Sequence, residues 1–118
     1  MDISGKQLKG ANLIGANLQG VDFQEANLVK SNLEGADLRR ANLKKADLRG
    51  ANLSNTLLLD GKGANLQEAN LQEANLQGAN LMKANLEEAD LEKANLQQAN
   101  LHLANLRGVN LRKANLQL

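Results

Sequence analysis

"ANLQEANLQEANLQGANL", residues 64–81, returns to the same three letters every five positions. Followed outward in both directions, the spacing holds over nearly all of the 118 residues. The triplet Ala-Asn/Asp-Leu recurs 17 times, too often for coincidence. Counted by central residue, one block of units runs 3, 8, 13 and onward to 58; a second runs 66, 71 and onward to 116. Every centre is Leu except Ile3 and Phe23. Beyond Met1 and Lys6, the residue two before each centre is small: mostly Ala, with Val21, Ser31, Thr56 and Val109 as variants. Repetition at a fixed short period decides the architecture before any local propensity does.

A period of five suits neither regular element. On an α-helix, five residues advance ~140° around the axis, so successive leucines would visit every face. In a flat strand an odd step sends successive leucines to opposite sides. Within one unit, however, the small residue and the leucine are two apart and share one side of a short extended segment. If the chain turns once per unit, every leucine points inward again. The pattern therefore predicts an all-β solenoid with short sides, one corner per pentapeptide and coils stacked at the ~4.8 Å strand spacing.

The other positions agree. Asn or Asp precedes most centres, and their short polar side chains satisfy backbone groups in turns. Two residues after the centre stand Gly5, Gly10, Gly15, Gly20, Gly35, Gly50, Gly78 and Gly108, as a corner with positive φ would ask. The two positions following each leucine otherwise hold nearly all the Lys, Arg, Glu and Gln, and are read as facing water.

Composition excludes several functions. Cys, Pro, Trp and Tyr are absent and Phe23 is the only aromatic residue, so a conventional two-layer core would be hard to fill. A net charge of +1 implies neither a polyanion binder nor an acidic mimic of nucleic acid. No apolar run approaches the ~18 residues that span a bilayer, and "MDISGKQLKG" lacks the basic-then-apolar pattern of a signal peptide, so a cytoplasmic protein is expected. His102 is the sole histidine and stands without a cluster of metal ligands, so no catalytic, cofactor or metal site is expected. "RRANLKKADLR", residues 39–49, is basic, but the coil spreads its charges over successive faces and no aromatics interleave, so nucleic-acid binding is not expected. Asn52-Leu53-Ser54 matches a glycosylation triplet, with Asn52 read as a corner residue of the repeat.

Units such as "ANLIG", "ADLRR" and "ANLQE" resemble the pentapeptide-repeat family, and the resemblance covers essentially the whole chain. It implies a right-handed quadrilateral β-helix of about six coils with four pentapeptides each. Periodicity leaves a three-sided coil equally open. The resemblance also suggests a bacterial source, with the cyanobacteria as the group where such proteins are numerous, and the family's gyrase-targeting members use projecting loops in their activity.

With four units per coil, residues 1–60 make three coils of a single domain, 61–63 a loop insertion, and 64–118 nearly three further coils. "DGKG", the candidate loop of Asp60, Gly61, Lys62 and Gly63, is turn chemistry and is expected to bulge from a corner. Keeping the corners in phase stacks Glu25, Lys45, Glu68 and Glu88 in one outward row, and Gln77, Gln97 and Gln117 in another as an amide ladder. It also pairs Glu92 with Arg112. On the fourth face Leu59, Met82 and His102 stack, with Leu103 beside them, as a candidate partner patch.

The function expected is that of a non-enzymatic structural or protein-interaction module. It would engage an unidentified protein, or associate with itself through ends on which no capping element is visible. The alternative, by resemblance, is a DNA-mimicking gyrase- or topoisomerase-binding protein. The mixed charge on the outward rows speaks against it.

Overall fold

A computed structural model describes residues 1–57, 59–60 and 62–118, and at 59, 60, 62 and 63 the backbone alone. The chain is a right-handed β-helix. Its parallel bridges join residues 20 apart, as in Asp2↔Asp22 and Asn75↔Asn95, so one coil is four pentapeptides. Across the insertion the offset becomes 23, as in Asn42↔Asn65 and Leu57↔Asn80, and then returns to 20. Three added residues thus leave every row in phase.

In an interior unit the five backbone amides each find a partner, as buried peptide groups require. In the unit centred on Leu48, Ala46 donates to Leu43 O across the preceding corner at 3.0 Å, and Asp47 to Ala26 O on the previous coil at 2.9 Å. Leu48 donates to Asn70 O at 2.7 Å and Gly50 to Gln72 O at 2.9 Å, both on the next coil. The fifth amide, on Arg49, donates at 3.3 Å to the side-chain Oδ1 of Asp47. Every Asn or Asp that precedes a centre makes this bond, which explains the residue choice better than turn propensity alone.

These bonds also correct one expectation. Asn and Asp, Asn52 included, lie on the extended sides where the bridges form, not at the corners. The corner is the pair of residues after the leucine, and the second of the pair has positive φ. It is Gly at eight corners, such as Gly20 with φ 69°, and a side-chain-bearing residue elsewhere, such as Lys45 with φ 58°. The turn bond and the positive φ at its third residue are those of a type II turn.

Inside, the centres and the small residues form one continuous apolar column. Phe23 and each described centre from Leu28 to Leu96 are fully buried, with Ala from Ala26 to Ala94 interleaved. Ala two residues before Leu lets the walls approach while Leu fills the axis, the large-and-small alternation that close packing demands. Toward the first and last coils, Ile3, Leu8, Leu13, Leu101 and Leu111 pack on this column and are half-buried.

At the seam the backbone pairs with itself. β1, Leu59–Asp60, runs antiparallel to β2, Lys62–Gly63, with Leu59 opposite Gly63 and Asp60 opposite Lys62. The candidate loop is therefore a miniature hairpin in its backbone, while Gly61 lies outside the described residues.

Candidate interaction face

The four sides are numbered from the N-terminus by their bridging rows, which begin at Asp2, Gln7, Asn12 and Asn17. The first three rows are made of Asn, Asp and Gln, and amide side chains link coils within them. Asn42 Nδ2 donates to Asp22 Oδ1 at 3.2 Å and Asn65 Nδ2 to Asn42 Oδ1 at 3.3 Å. The fourth row reads Asn17, Asp37, Leu57, Asn80, Asn100. Leu57 is its apolar member, pointing outward where other units place an amide or a carboxylate.

Leu57 has company. Among the described residues, the exposed large hydrophobic residues that point away from the core and precede the terminal coil are Ile14, Leu57 and Leu103, at 56%, 45% and 67% exposure. All three border the fourth side. Ile14 stands at the corner before it, Leu57 in its row, and Leu103 at the corner after it. Met82, half-buried, occupies that second corner one coil from His102 and Leu103, where the Lys83 amide donates to His102 O at 2.9 Å. The structure thus brings Met82, His102 and Leu103 together, while the side chain of Leu59 lies outside those described. Sequence reasoning missed Leu57 and Ile14. Leu57 was visible as an apolar residue in a position otherwise given to Asn, Asp or Gln.

Charge is distributed in the opposite sense. Of 14 basic and 13 acidic residues, the third side, the corner after it and the fourth side hold only Glu34 and Asp37. Asp37 is compensated locally. Arg39 donates to it through Nε at 2.8 Å and Nη2 at 2.6 Å, and Gln19 Nε2 donates at 2.8 Å. The Arg39 hydrogen bond holds the Asp37 carboxyl below the usual carboxylate range, although partial burial opposes the shift. Arg49 does the same for Asp47 on the second side. The charged rows gather on the first and second sides, where Lys45 and Glu68 pair at 3.9 Å. Glu92, expected to meet Arg112, instead accepts from Asn110 Nδ2 at 3.5 Å. Part of the amide ladder is present, with Gln97 Nε2 donating to Gln117 Oε1 at 2.7 Å.

Little here resembles a reaction centre. One depression of about 450 Å³ opens at the corner between the second and third sides, lined by Lys9, Val29, Lys30, Arg49, Gly50, Gln72 and Glu73. It is a furrow on a convex wall, left where Gly50 has no side chain. Among the described residues no group of three or more His, Cys, Asp or Glu side chains is placed to hold a metal ion. No helix among them is long and apolar enough to cross a membrane.

A stacked, four-sided β-helix with a leucine axis and amide rows defines a class of protein. A family model for pentapeptide repeats matches residues 2–28, 16–55, 62–98 and 84–118, and the chain belongs to that family. Among solved structures it is similar to the pentapeptide repeat protein Rfr23 of the cyanobacterium Cyanothece 51142, with 34% identity and a TM-score of 0.88 over 98% of this chain and 88% of that one. It is also similar to HetL of the cyanobacterium Nostoc sp. strain PCC 7120, described as involved in heterocyst differentiation regulation. That match has 36% identity and a TM-score of 0.67 over 96% of this chain and 58% of that one. A pentapeptide repeat protein from the Arabidopsis thaliana thylakoid lumen matches with 35% identity and a TM-score of 0.62, over 83% of this chain and 63% of that one. No curated protein matches the chain.

Proposed function

We propose that the protein is a non-enzymatic interaction module, a rigid β-helical rod that binds another protein through its fourth side. One observation carries the reading: Ile14, Leu57 and Leu103 border a side whose own rows hold Asp37 as their single charged residue. A protein interface needs a desolvated apolar centre with charge kept to the rim, and Leu57 with Met82 and Leu103 supplies such a centre. The hydrogen-bonded coils hold the side in shape before contact, so little ordering cost falls on binding.

The alternative, a DNA-mimicking binder of topoisomerases, calls for a continuous acidic face. Here the carboxylates of the first side are interrupted by Lys45 and followed by Arg107, which leaves no continuous stripe for a site that grips DNA.

The test is capture from an extract of the source organism with wild-type bait, a Leu57→Glu/Met82→Glu/Leu103→Glu bait and a Lys44→Glu bait. A partner kept by wild type and Lys44→Glu but lost by the triple variant is the expected result. Identical capture by all three would overturn the reading.

A further inference from the structure

The fourth side has a symmetry that points to one particular occupant. In the coil that contains Asp37, Glu34 stands exposed at the corner before this side, and Arg39 and Arg40 stand at the corner after it. A twofold axis laid along the rod, in the plane of the fourth side, exchanges these two corners at constant coil height. Glu34 of each copy then faces Arg39 and Arg40 of the other, and Leu57 faces Leu57. Turning the second rod end over end about Leu57 has the opposite effect, setting Arg39 and Arg40 against Met82 and Lys83 with like charges opposed. Of these two arrangements about Leu57, the parallel one is complementary in charge.

We propose that a second copy of this chain docks on the fourth side, with the two rods parallel and related by a twofold axis. This rests on the reading of that side as an interaction face and names its partner. The contact is isologous, so each favourable element occurs twice. Burying this side removes little charge from water, whereas the first or second side would take many ions with it. The amides of Asn80 and Asn100 in this row carry donor and acceptor together, so each can pair with its own copy across the axis. Size also fits, because one whole side of a body measuring 32 × 27 × 24 Å is of the order of the ~800 Å² per partner that a stable complex buries.

The experiment is light-scattering mass across a concentration series on the 118-residue chain, with circular dichroism to confirm that each variant is folded. Wild type is expected to rise from 12.7 kDa toward twice that mass. Leu57→Glu and, separately, Leu103→Glu should remain monomeric; both positions are exposed, so neither change threatens the core. Glu34→Arg should weaken the dimer at least ~10-fold by placing like charges together. Glu34→Arg combined with Arg40→Glu should recover it, because the parallel axis pairs the two reversed positions. A monomeric wild type overturns the inference, as does a dimer indifferent to Leu57→Glu or a charge swap without recovery. A monomer that still captures a Leu57-dependent partner removes the second copy while leaving the interaction reading in place.

Discussion

Ser31 puts a hydroxyl where the repeat asks for a methyl group. Its Oγ is buried and has no hydrogen-bond partner, whereas the hydroxyl of Thr56, also buried in a small-residue position, donates to Leu53 O at 2.9 Å. A buried polar atom left unpaired costs ~1–3 kcal/mol. Ser31→Ala should therefore stabilise the protein by about 1 kcal/mol, seen as a higher urea midpoint at unchanged slope. A lower midpoint would mean that the hydroxyl is satisfied in solution. Asp37 and Asp47 make the opposite case, since each side chain serves twice, capping its corner and holding an arginine. Both folded-state pKa values are depressed, chiefly by the arginine hydrogen bond. Their contribution is therefore present above the unfolded carboxyl value of ~3.9 and is lost as pH falls through the lower folded values. Asn retains the Oδ1 acceptor of the cap, so Asp37→Asn/Asp47→Asn removes the charge pairs and, at Asp37, the bond from Gln19. At pH 7 the double variant should be less stable by ~0.2–1 kcal/mol per site, and the gap should close as pH drops below ~4. Parallel melting curves at every pH would show that the arginine contacts contribute nothing.

The unit of this structure is a side and its corner, and its inside-outside logic can be tested at one place. Leu43 is fully buried in the column, while its neighbour Lys44 is half-buried at the corner. Leu43→Ala should cost ~2–5 kcal/mol, since the stacked coils above and below cannot collapse into the gap. Lys44→Ala should stay within about ±0.5 kcal/mol. Equal losses would disprove the assignment. That assignment was legible in the sequence, because Leu and the small residue two before it share a side only if the chain is extended between them. The glycines marked the positive-φ position for the same local reason. The place of the corner was not legible: a five-residue period does not reveal which two residues turn, and Asn52 was misplaced until the hydrogen bonds located it. The number of sides was also out of reach, because any closed polygon returns Leu to the axis. Leu57 escaped notice for a third reason. In "TLLLD" the repeat explains Leu58 as a centre, and a run of three leucines conceals that its first member sits in a row of amides. Its significance depends on Asp37 and Asn80, its bridge partners 20 and 23 residues away.

Across the whole molecule, each coil touches only its neighbours, so stability is a sum of stacked contacts and not the property of one central core. The direction of the hydrogen bonds makes the consequence measurable. The amides of Leu43, Leu48 and Leu71 donate to the following coil at 2.8, 2.7 and 2.7 Å. Those of Leu101, Leu106 and Leu111, in the same position of their units, have no backbone acceptor among the described residues. Local opening free energies in such a rod should fall from the middle coils toward the outer ones. Amide hydrogen exchange on the 118-residue chain should show Leu43, Leu48 and Leu71 among the slowest, and Leu101, Leu106 and Leu111 with little protection. Uniform protection along the chain would contradict stacking of separable coils and point to a single cooperative unit. The same spectra distinguish the surfaces available for association. Dimerisation through the fourth side leaves the Leu106 and Leu111 amides as fast at high concentration as at low, because those residues belong to the first and second sides. End-to-end stacking would place a coil over them and slow both, so a concentration-dependent slowing there would move the contact away from Leu57.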